Sequence, residues 1–271
     1  MASFDFVNSA AKGYEFVWSE RKYLSRVAAP VFFVKLVCLF AVFVFGAQDK
    51  YMLQGIISMP GLVIEAIFVI GLIRYILYRE PIFIWGKLII PPQSEEEPAP
   101  YQGGLSKKQC VQGGIAIYLL IRVIETCLLG ISMDMPMPSS AEISEEEIIK
   151  LSPALSSFIM FSFLILLIWV FKFFWLFVPV SAGFSMSYFI KKMPKLRGNI
   201  GMIAVWIICS LPLMVMFSAV LQAISESFEG GSVSDIVSTS IIKSMAEIII
   251  ISVQVTAMTY GIHKILLSKE D

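Results

Sequence analysis

Ionisable side chains inside long apolar segments are the residues of this sequence that could do chemistry. The candidates among them are Lys35, Glu65, Arg122, Glu125 and Glu247. A charge held near the middle of a lipid bilayer costs about 2.5 to 3.5 kcal/mol even on insertion scales, so such a residue needs a partner or a task. The chemistry open to these side chains is ion pairing, proton transfer or ion passage.

Helix geometry places most of these charges at a similar depth. Counted from the basic end of each apolar run at about 1.5 Å per residue, Arg122 lies roughly 18 Å deep, Glu65 roughly 20 Å, Glu125 roughly 22 Å and Glu247 roughly 25 Å. Lys35 is shallower, at roughly 12 Å. We therefore predict a buried cluster of Glu65, Arg122 and Glu125, with Lys35 or Glu247 at its margin.

Two roles are open for this cluster. In the first, the charges only fix the register and pairing of helices; in the second, they line a pathway for protons or ions. Residues three or four apart share one face of a helix, which joins Arg122 to Glu125 and, on the last apolar run, Lys243 to Glu247.

A run of methionines provides a second candidate site. Met133, Met135 and Met137 alternate with other residues in an acidic loop. Thioethers are soft ligands that favour Cu(I), and alternate residues of an extended segment point to the same side. The run predicts a Cu(I) site, and the alternative is ordinary loop methionine in a chain that has 14 of them.

The sequence carries no signature of an enzyme or of a nucleic-acid-binding protein. It has no GxSxG, HExxH or P-loop motif, a single histidine, His263, and four cysteines without a CxxC pair. The 21 basic residues balance 21 acidic residues, so there is no basic field for a nucleic-acid backbone. We expect a protein that is not an enzyme, with no catalytic residue, no cofactor and no nucleic-acid partner.

Membrane-spanning helices must position the charged residues. The chain is 57% hydrophobic and 15% charged, with a mean hydropathy of +0.79, whereas soluble domains carry about 25% charged residues. A crossing helix needs about 20 apolar residues. Six runs meet that need, at 28–45, 52–78, 111–131, 155–177, 200–221 and 236–266. The sequence predicts an all-α, polytopic membrane protein in which residues 1–271 form a single integral membrane domain.

The fourth apolar run could be one crossing or two, because the apolar stretch extends from residue 154 to residue 190. As one helix it would be about 55 Å long, too long for one crossing and too short for two with a turn. Pro179 and Gly183 are the natural break points. We predict one crossing that ends near Pro179, followed by a short surface segment.

Lysine and arginine residues in the loops predict the orientation. They concentrate on one side of the membrane, whereas Lys50 and Lys150 fall on the other; the basic segments are 12–26, 79–108, 187–197 and 264–269. Positive side chains next to a span are retained in the cytoplasm. Both termini are therefore predicted to be cytoplasmic, with a cytoplasmic linker at 91–108 and an acidic outer loop at 132–152.

Residues 1–26 have an amphipathic pattern. Apolar residues recur at helical spacing and polar residues lie between them; the apolar positions are Phe4, Val7, Ala11, Tyr14 and Trp18. We predict an interfacial helix that anchors the chain at the membrane surface, and docking to a partner is the alternative. Segment 82–85 is apolar but too short to cross, and we expect it to enter the headgroup layer.

Several of these segments together resemble a known family. The segments are 18–26 before the first span, 85–90 after the second, and 179–182 with 197–199 before the fifth. In this order they resemble the YciC-like six-helix inner-membrane proteins of bacteria, whose function is unassigned, and the related membrane domain of some glycerophosphodiesterases. The resemblance implies six helices with cytoplasmic surface helices in a bacterial inner membrane, and it brings no catalytic residues.

The sequence favours a non-enzymatic role in the membrane. We expect a scaffold, accessory or assembly factor whose partners are the lipid bilayer and either other membrane proteins or further copies of itself. The alternative is a transporter of small solutes, protons or metal ions that uses the charges on the second, third and sixth spans.

Overall fold

The computed structural model describes residues 5–84, 87–89, 104–134, 153–192, 195–227 and 233–267. Six of its helical segments are long and apolar enough to cross a membrane. The all-α, polytopic architecture that the hydropathy pattern predicts is thus confirmed, and the chain is a multi-pass integral membrane protein.

The elements follow one another along the chain. The helices are α1 Phe6–Ser19, α2 Arg21–Val44, α3 Tyr51–Tyr78, α4 Lys107–Asp134, α5 Pro153–Val170, α6 Phe177–Ser181, α7 Met186–Lys192, α8 Lys195–Ser227 and α9 Val233–Leu267. A 3₁₀ turn, Phe171–Trp175, joins α5 to α6, and strands β1 Ile82–Ile84 and β2 Lys87–Ile89 pair antiparallel. Helix α2 begins at Arg21, seven residues before the apolar run at 28–45. The basic residues among these seven lower the local hydropathy, so the apolar run alone did not indicate this first part of the helix.

Helices α2 and α4 run antiparallel to α3, and α9 runs parallel to it. Residues near the start of α2 meet residues near the end of α3, as in the contact between the rings of Tyr23 and Tyr75, whose centroids are 4.6 Å apart. Gly55 of α3 lies against Thr126 of α4 in the opposite half. We call the end where α2 and α4 begin and α3 and α9 end the proximal end, and the opposite end the distal end.

The two halves of the bundle differ in packing. In the proximal half of α3 the side chains from Ala66 to Leu77 are almost all buried, and they form the core together with Phe177, Met202 and Met258. In the distal half, Met52, Ile56 and Val63 are exposed. The proximal half therefore has a dry core, and the distal half is open at the sides.

Helix α1 packs on the bundle through small residues. Ser9, Ala10, Gly13 and Phe16 are buried, and a Cβ on Gly13 would lie 2.8 Å from the Cβ of Ala257 in α9. The apolar stripe that was predicted to face the lipid points away from the bundle, since Val7 is 62% and Trp18 72% exposed. One helix face therefore binds the bundle while another remains available to the membrane interface.

The fourth crossing ends close to Pro179, where the sequence predicts its end. It runs from Met160 to Ser181, and α6 includes Pro179 as its third residue. A proline is tolerated in the first turn of a helix because its missing N–H would have no partner within the helix there. The regular α-helix is also interrupted earlier, at the 3₁₀ turn, and Gly183, which follows the C-cap residue Ala182, has a φ of 90°.

The segment predicted to enter the headgroup layer is part of the β-hairpin. Its first residue, Ile82, is buried against Gly71 of α3, where an added Cβ would lie 2.7 Å from the Ile82 Cγ2. The Ile82 N–H donates to the Tyr23 hydroxyl at 3.2 Å. The hairpin is thereby attached to the proximal end of the bundle.

Candidate functional site: a charged cleft at mid-span

The structure brings all five candidate charges together. Glu65 of α3 accepts hydrogen bonds from Tyr118 and Arg122 of α4 and forms an ion pair with Lys35 of α2. Lys35 donates a second bond to Glu247 of α9 at 2.5 Å. We call this set, with Glu125, the charged cleft.

Glu65 lies at the centre of the cleft. It is 1% exposed, and its carboxylate lies 3.1 Å from an Arg122 guanidinium nitrogen. A carboxylate buried in this way requires charged or hydrogen-bonding partners, because burial without them is strongly unfavourable. Lys35, Arg122 and the Tyr118 hydroxyl supply them from the two neighbouring helices.

The remaining ion pair is local to α4. Arg122 donates to Glu125 at 2.8 Å, three residues along the same helix. The cleft thus contains three carboxylates and two cations, so its formal charge is negative when every member is ionised.

Neighbouring small and aromatic residues hold these side chains in place. A Cβ on Gly61 would lie 3.4 Å from the Lys35 Cγ, so the glycine gives the lysine stem room to pass α3. The ring of Tyr118 packs edge-on against Phe177 of α6, 5.0 Å between centroids. Thr126 donates to the backbone carbonyl of Arg122 at 2.8 Å.

A cavity of about 210 Å³ lies on the distal side of the charges. It is lined by the cleft residues other than Glu65 and Tyr118 and by residues from the distal halves of α2, α3 and α4, including Leu39, Ser58 and Thr126. Such a volume holds several water molecules, each of which takes about 30 Å³ in the liquid. The proximal side is different, because buried Phe68, Tyr118 and Phe177 form an apolar floor beneath the charges.

The exposed members of the cleft line this cavity. The side chain of Glu247 is 53% exposed, that of Glu125 35% and that of Arg122 34%. Charges exposed at mid-span cannot face hydrocarbon without a large cost, so water or another protein must cover them.

The methionine run is only partly described. Met133 belongs to the last turn of α4, which places it in a helix and not in the extended segment that the alternating pattern suggested. Met135 and Met137 lie outside the described residues. Among the part of the chain that the structure describes, no three His, Cys, Asp or Glu side chains form a metal site.

A second ionic group, which the sequence did not predict, lies at the proximal end. Glu80 accepts two bonds from Arg74, at 2.8 and 2.6 Å, and lies 3.1 Å from the Lys107 ammonium. Burial alone would raise the pKa of Glu80, but the hydrogen bonds from Arg74 and Lys107 outweigh it and keep this pKa below its ordinary value. Arg74 also donates to the carbonyl of Ser181 at 3.0 Å, which attaches α6 to α3.

Tyr118 is the cleft residue that the sequence analysis did not identify. Its position could have indicated this role, because Tyr118 lies one helical turn before Arg122 on the same face of α4. A tyrosine reads as apolar in a hydropathy profile, although its hydroxyl is a strong hydrogen-bond donor.

Comparisons with family models, with curated proteins and with solved structures found nothing that matches the chain. The cleft geometry and the fold therefore carry the functional argument.

Proposed function

We propose that this protein is a non-enzymatic membrane scaffold or assembly factor that binds other membrane proteins through its open distal half. The observation that supports this best is the shape of the charged cleft. Its cavity lies on the distal side of the charges, and buried Phe68, Tyr118 and Phe177 lie on their proximal side. A side chain of another protein could enter this space, whereas a solute that entered would meet packed apolar side chains.

Helix α5 supports the same proposal. Its side chains are exposed on several faces, including Phe161 at 62%, Leu164 at 51% and Trp169 at 51%. A crossing helix that packs on little of its own bundle offers surface to neighbouring proteins as well as to lipid.

Site-specific photo-crosslinking tests the proposal. A benzoylphenylalanine placed at Leu39, on the rim of the cavity, is expected to give a discrete protein adduct in native membranes. The matched control is the same probe at Phe33, 60% exposed on the same helix but away from the cavity lining. Adducts with lipid alone at both positions would contradict the proposal.

Transport is the second candidate, and the cavity beside five charges favours it. It requires the floor to open, because transporters expose one site alternately to the two sides. Proteoliposomes that report proton, sodium and potassium flux would decide between the two functions. Flux that the Glu65→Gln substitution abolishes would replace the scaffold with a transporter.

We further propose a location in a bacterial inner membrane, with both termini in the cytoplasm. The support is the concentration of basic residues at the proximal end and the resemblance of segments 18–26, 85–90, 179–182 and 197–199 to the YciC-like proteins.

A further inference from the structure

Helix α9 carries an exposed lysine next to the charged cleft. Lys243 lies one turn distal to Glu247 and on the same helix face. It is exposed, and among the described residues it forms no ion pair. Its neighbour on the helix, Glu247, is bonded to Lys35 of α2 instead.

The charges of the cleft and of Lys243 are complementary. The cleft has one carboxylate more than it has cations, and Lys243 would balance it. A pair within the helix is weak, because a lysine placed four residues before a glutamate is the less favourable order. A lysine from a second α9 can approach the exposed side of Glu247 without that limit.

We propose that two copies of this chain associate through α9, with Lys243 of each copy paired to Glu247 of the other. A two-fold axis along the membrane normal keeps both copies in the same orientation and forms two equivalent pairs, as an isologous interface requires. The axial offset between the two residues is about 6 Å, which the flexible four-carbon stem of lysine can span.

The second copy is favoured over another occupant, because this chain supplies both the unpaired cation and the open carboxylate on one face. The pairing also covers Glu247, whose side chain is 53% exposed at mid-span. This inference rests on the proposed function and names its first partner, a second copy of this chain.

Thiol-to-thiol crosslinking between differently tagged copies tests the proposal. One copy carries Lys243→Cys and the other Glu247→Cys, so the reciprocal pair of the intact Lys243 and Glu247 remains. A bismaleimide that spans about 10 Å is expected to crosslink the two tags in native membranes, because packed helices lie about 8 to 10 Å apart, beyond the reach of a disulfide. The control pair carries Phe161→Cys on α5 in both copies, and the unsubstituted chain reports on the native cysteines.

Association in liposomes gives the second measurement, by energy transfer between labelled copies at increasing dilution in lipid. Lys243→Met is expected to lower the association constant about tenfold, because it removes both reciprocal polar contacts between the two α9 helices. Met245→Ala is the matched control, because Met245 is exposed on the opposite side of α9.

The outcomes separate this inference from the proposed function. A 243-to-247 crosslink with weakened association of Lys243→Met supports the α9 dimer. Equal association of Lys243→Met and the native chain, or no crosslink above the α5 control, overturns it. A hetero-partner captured at Leu39 in that case would leave the scaffold proposal standing without the dimer.

Discussion

Glu65 joins three helices through one buried carboxylate. It accepts from Lys35 of α2 and from Arg122 and Tyr118 of α4. Removing a carboxylate of this kind leaves the buried Lys35 and the half-buried Arg122 with fewer partners, which is more costly than the net stabilisation that the intact network provides. The stability of the bundle should therefore be sensitive to this single residue.

The first prediction concerns the charge of Glu65. Glu65→Gln is expected to lower the free energy of unfolding by about 3 to 5 kcal/mol, the cost of breaking a buried pair from one side. Thermal unfolding of the detergent-solubilised protein measures the change. Glu226→Gln is the matched control, because Glu226 is exposed near the distal end of α8 and its hydrogen bond is with Gln222 on the same helix.

A double substitution refines that prediction. Lys35→Met combined with Glu65→Met removes both partners of one ion pair, so it should be less destabilising than the sum of the two single substitutions. Additive effects of the two substitutions would show that Lys35 and Glu65 do not interact.

The second prediction concerns pH and Glu80. Because the pKa of Glu80 is lowered in the folded protein, its contribution to stability is present above the pKa of the unfolded carboxyl, about 4.3. That contribution is lost as the pH falls through the lower, folded value. Glu80→Gln is expected to cost about 1 to 2 kcal/mol at neutral pH and progressively less below about pH 4.

Thermal unfolding of both proteins from neutral pH down through the pKa of the unfolded carboxyl, about 4.3, measures this difference. Glu15→Gln on the exposed side of α1 serves as the control and should stay close to the native chain throughout. A gap between Glu80→Gln and the native protein that stays constant over the whole range would contradict the role assigned to Glu80.

Residue types and spacing predicted which charged residues belong to the candidate site, but not which of them form ion pairs with each other. Counting the first apolar run from residue 28 places Lys35 only about 12 Å deep. Helix α2 begins at Arg21, which puts Lys35 roughly 21 Å along the helix, level with Glu65. An error of about two helical turns at one end is enough to hide the closest ion pair.

At the scale of elements, the packing of α1 shows what hydropathy does not detect. The buried face consists of Ser9, Ala10, Gly13 and Phe16, of which only Phe16 is strongly apolar. Small residues bind helices together by allowing close approach rather than by their hydrophobicity. The visible stripe from Val7 to Trp18 therefore predicted a membrane contact and gave no sign of the contact with α9.

The third prediction follows from that close approach. Gly13→Leu is expected to displace α1, because even a Cβ at this position would lie 3.0 Å from the Val253 carbonyl oxygen and closer to Ala257. Ala10→Cys, a buried position, reports the displacement through its rate of labelling with a maleimide. Labelling should accelerate at least about tenfold in the Gly13→Leu background, which corresponds to about 1.4 kcal/mol of lost protection.

Ala11→Leu is the matched control, because Ala11 is exposed on another face of the same helix. Equal labelling rates of the Ala10→Cys thiol in the Gly13→Leu and Ala11→Leu backgrounds would show that α1 does not depend on the Gly13 contact.

At the scale of the molecule, the bundle combines a dry proximal half with an open distal half. The six crossings could be predicted, since each needs only an apolar run of sufficient length. The asymmetry between the halves could not, because Met52, Ile56 and Val63 at the open end are as apolar as the buried residues of the core. Hydropathy distinguishes lipid-compatible residues from others, but not lipid contacts from helix contacts.

The fourth prediction concerns orientation in the membrane. Asp49→Cys, in the distal loop between α2 and α3, should react with an impermeant maleimide in intact cells. Glu15→Cys on α1 should react only after the membrane is permeabilised. The reverse pattern would place the termini outside the cell and contradict the charge rule for this chain.

The arrangement of charges also has a consequence for how the chain enters the bilayer during synthesis. Lys35 and Glu65 balance within the first hairpin, Arg122 and Glu125 within α4, and Lys243 and Glu247 within α9. Each of these pairs is thus electrically neutral when its portion reaches the insertion machinery, which lowers the barrier to leaving water before later helices exist. The contact between Lys35 and Glu247 joins α2 to α9, so it can form only after the last segment is made.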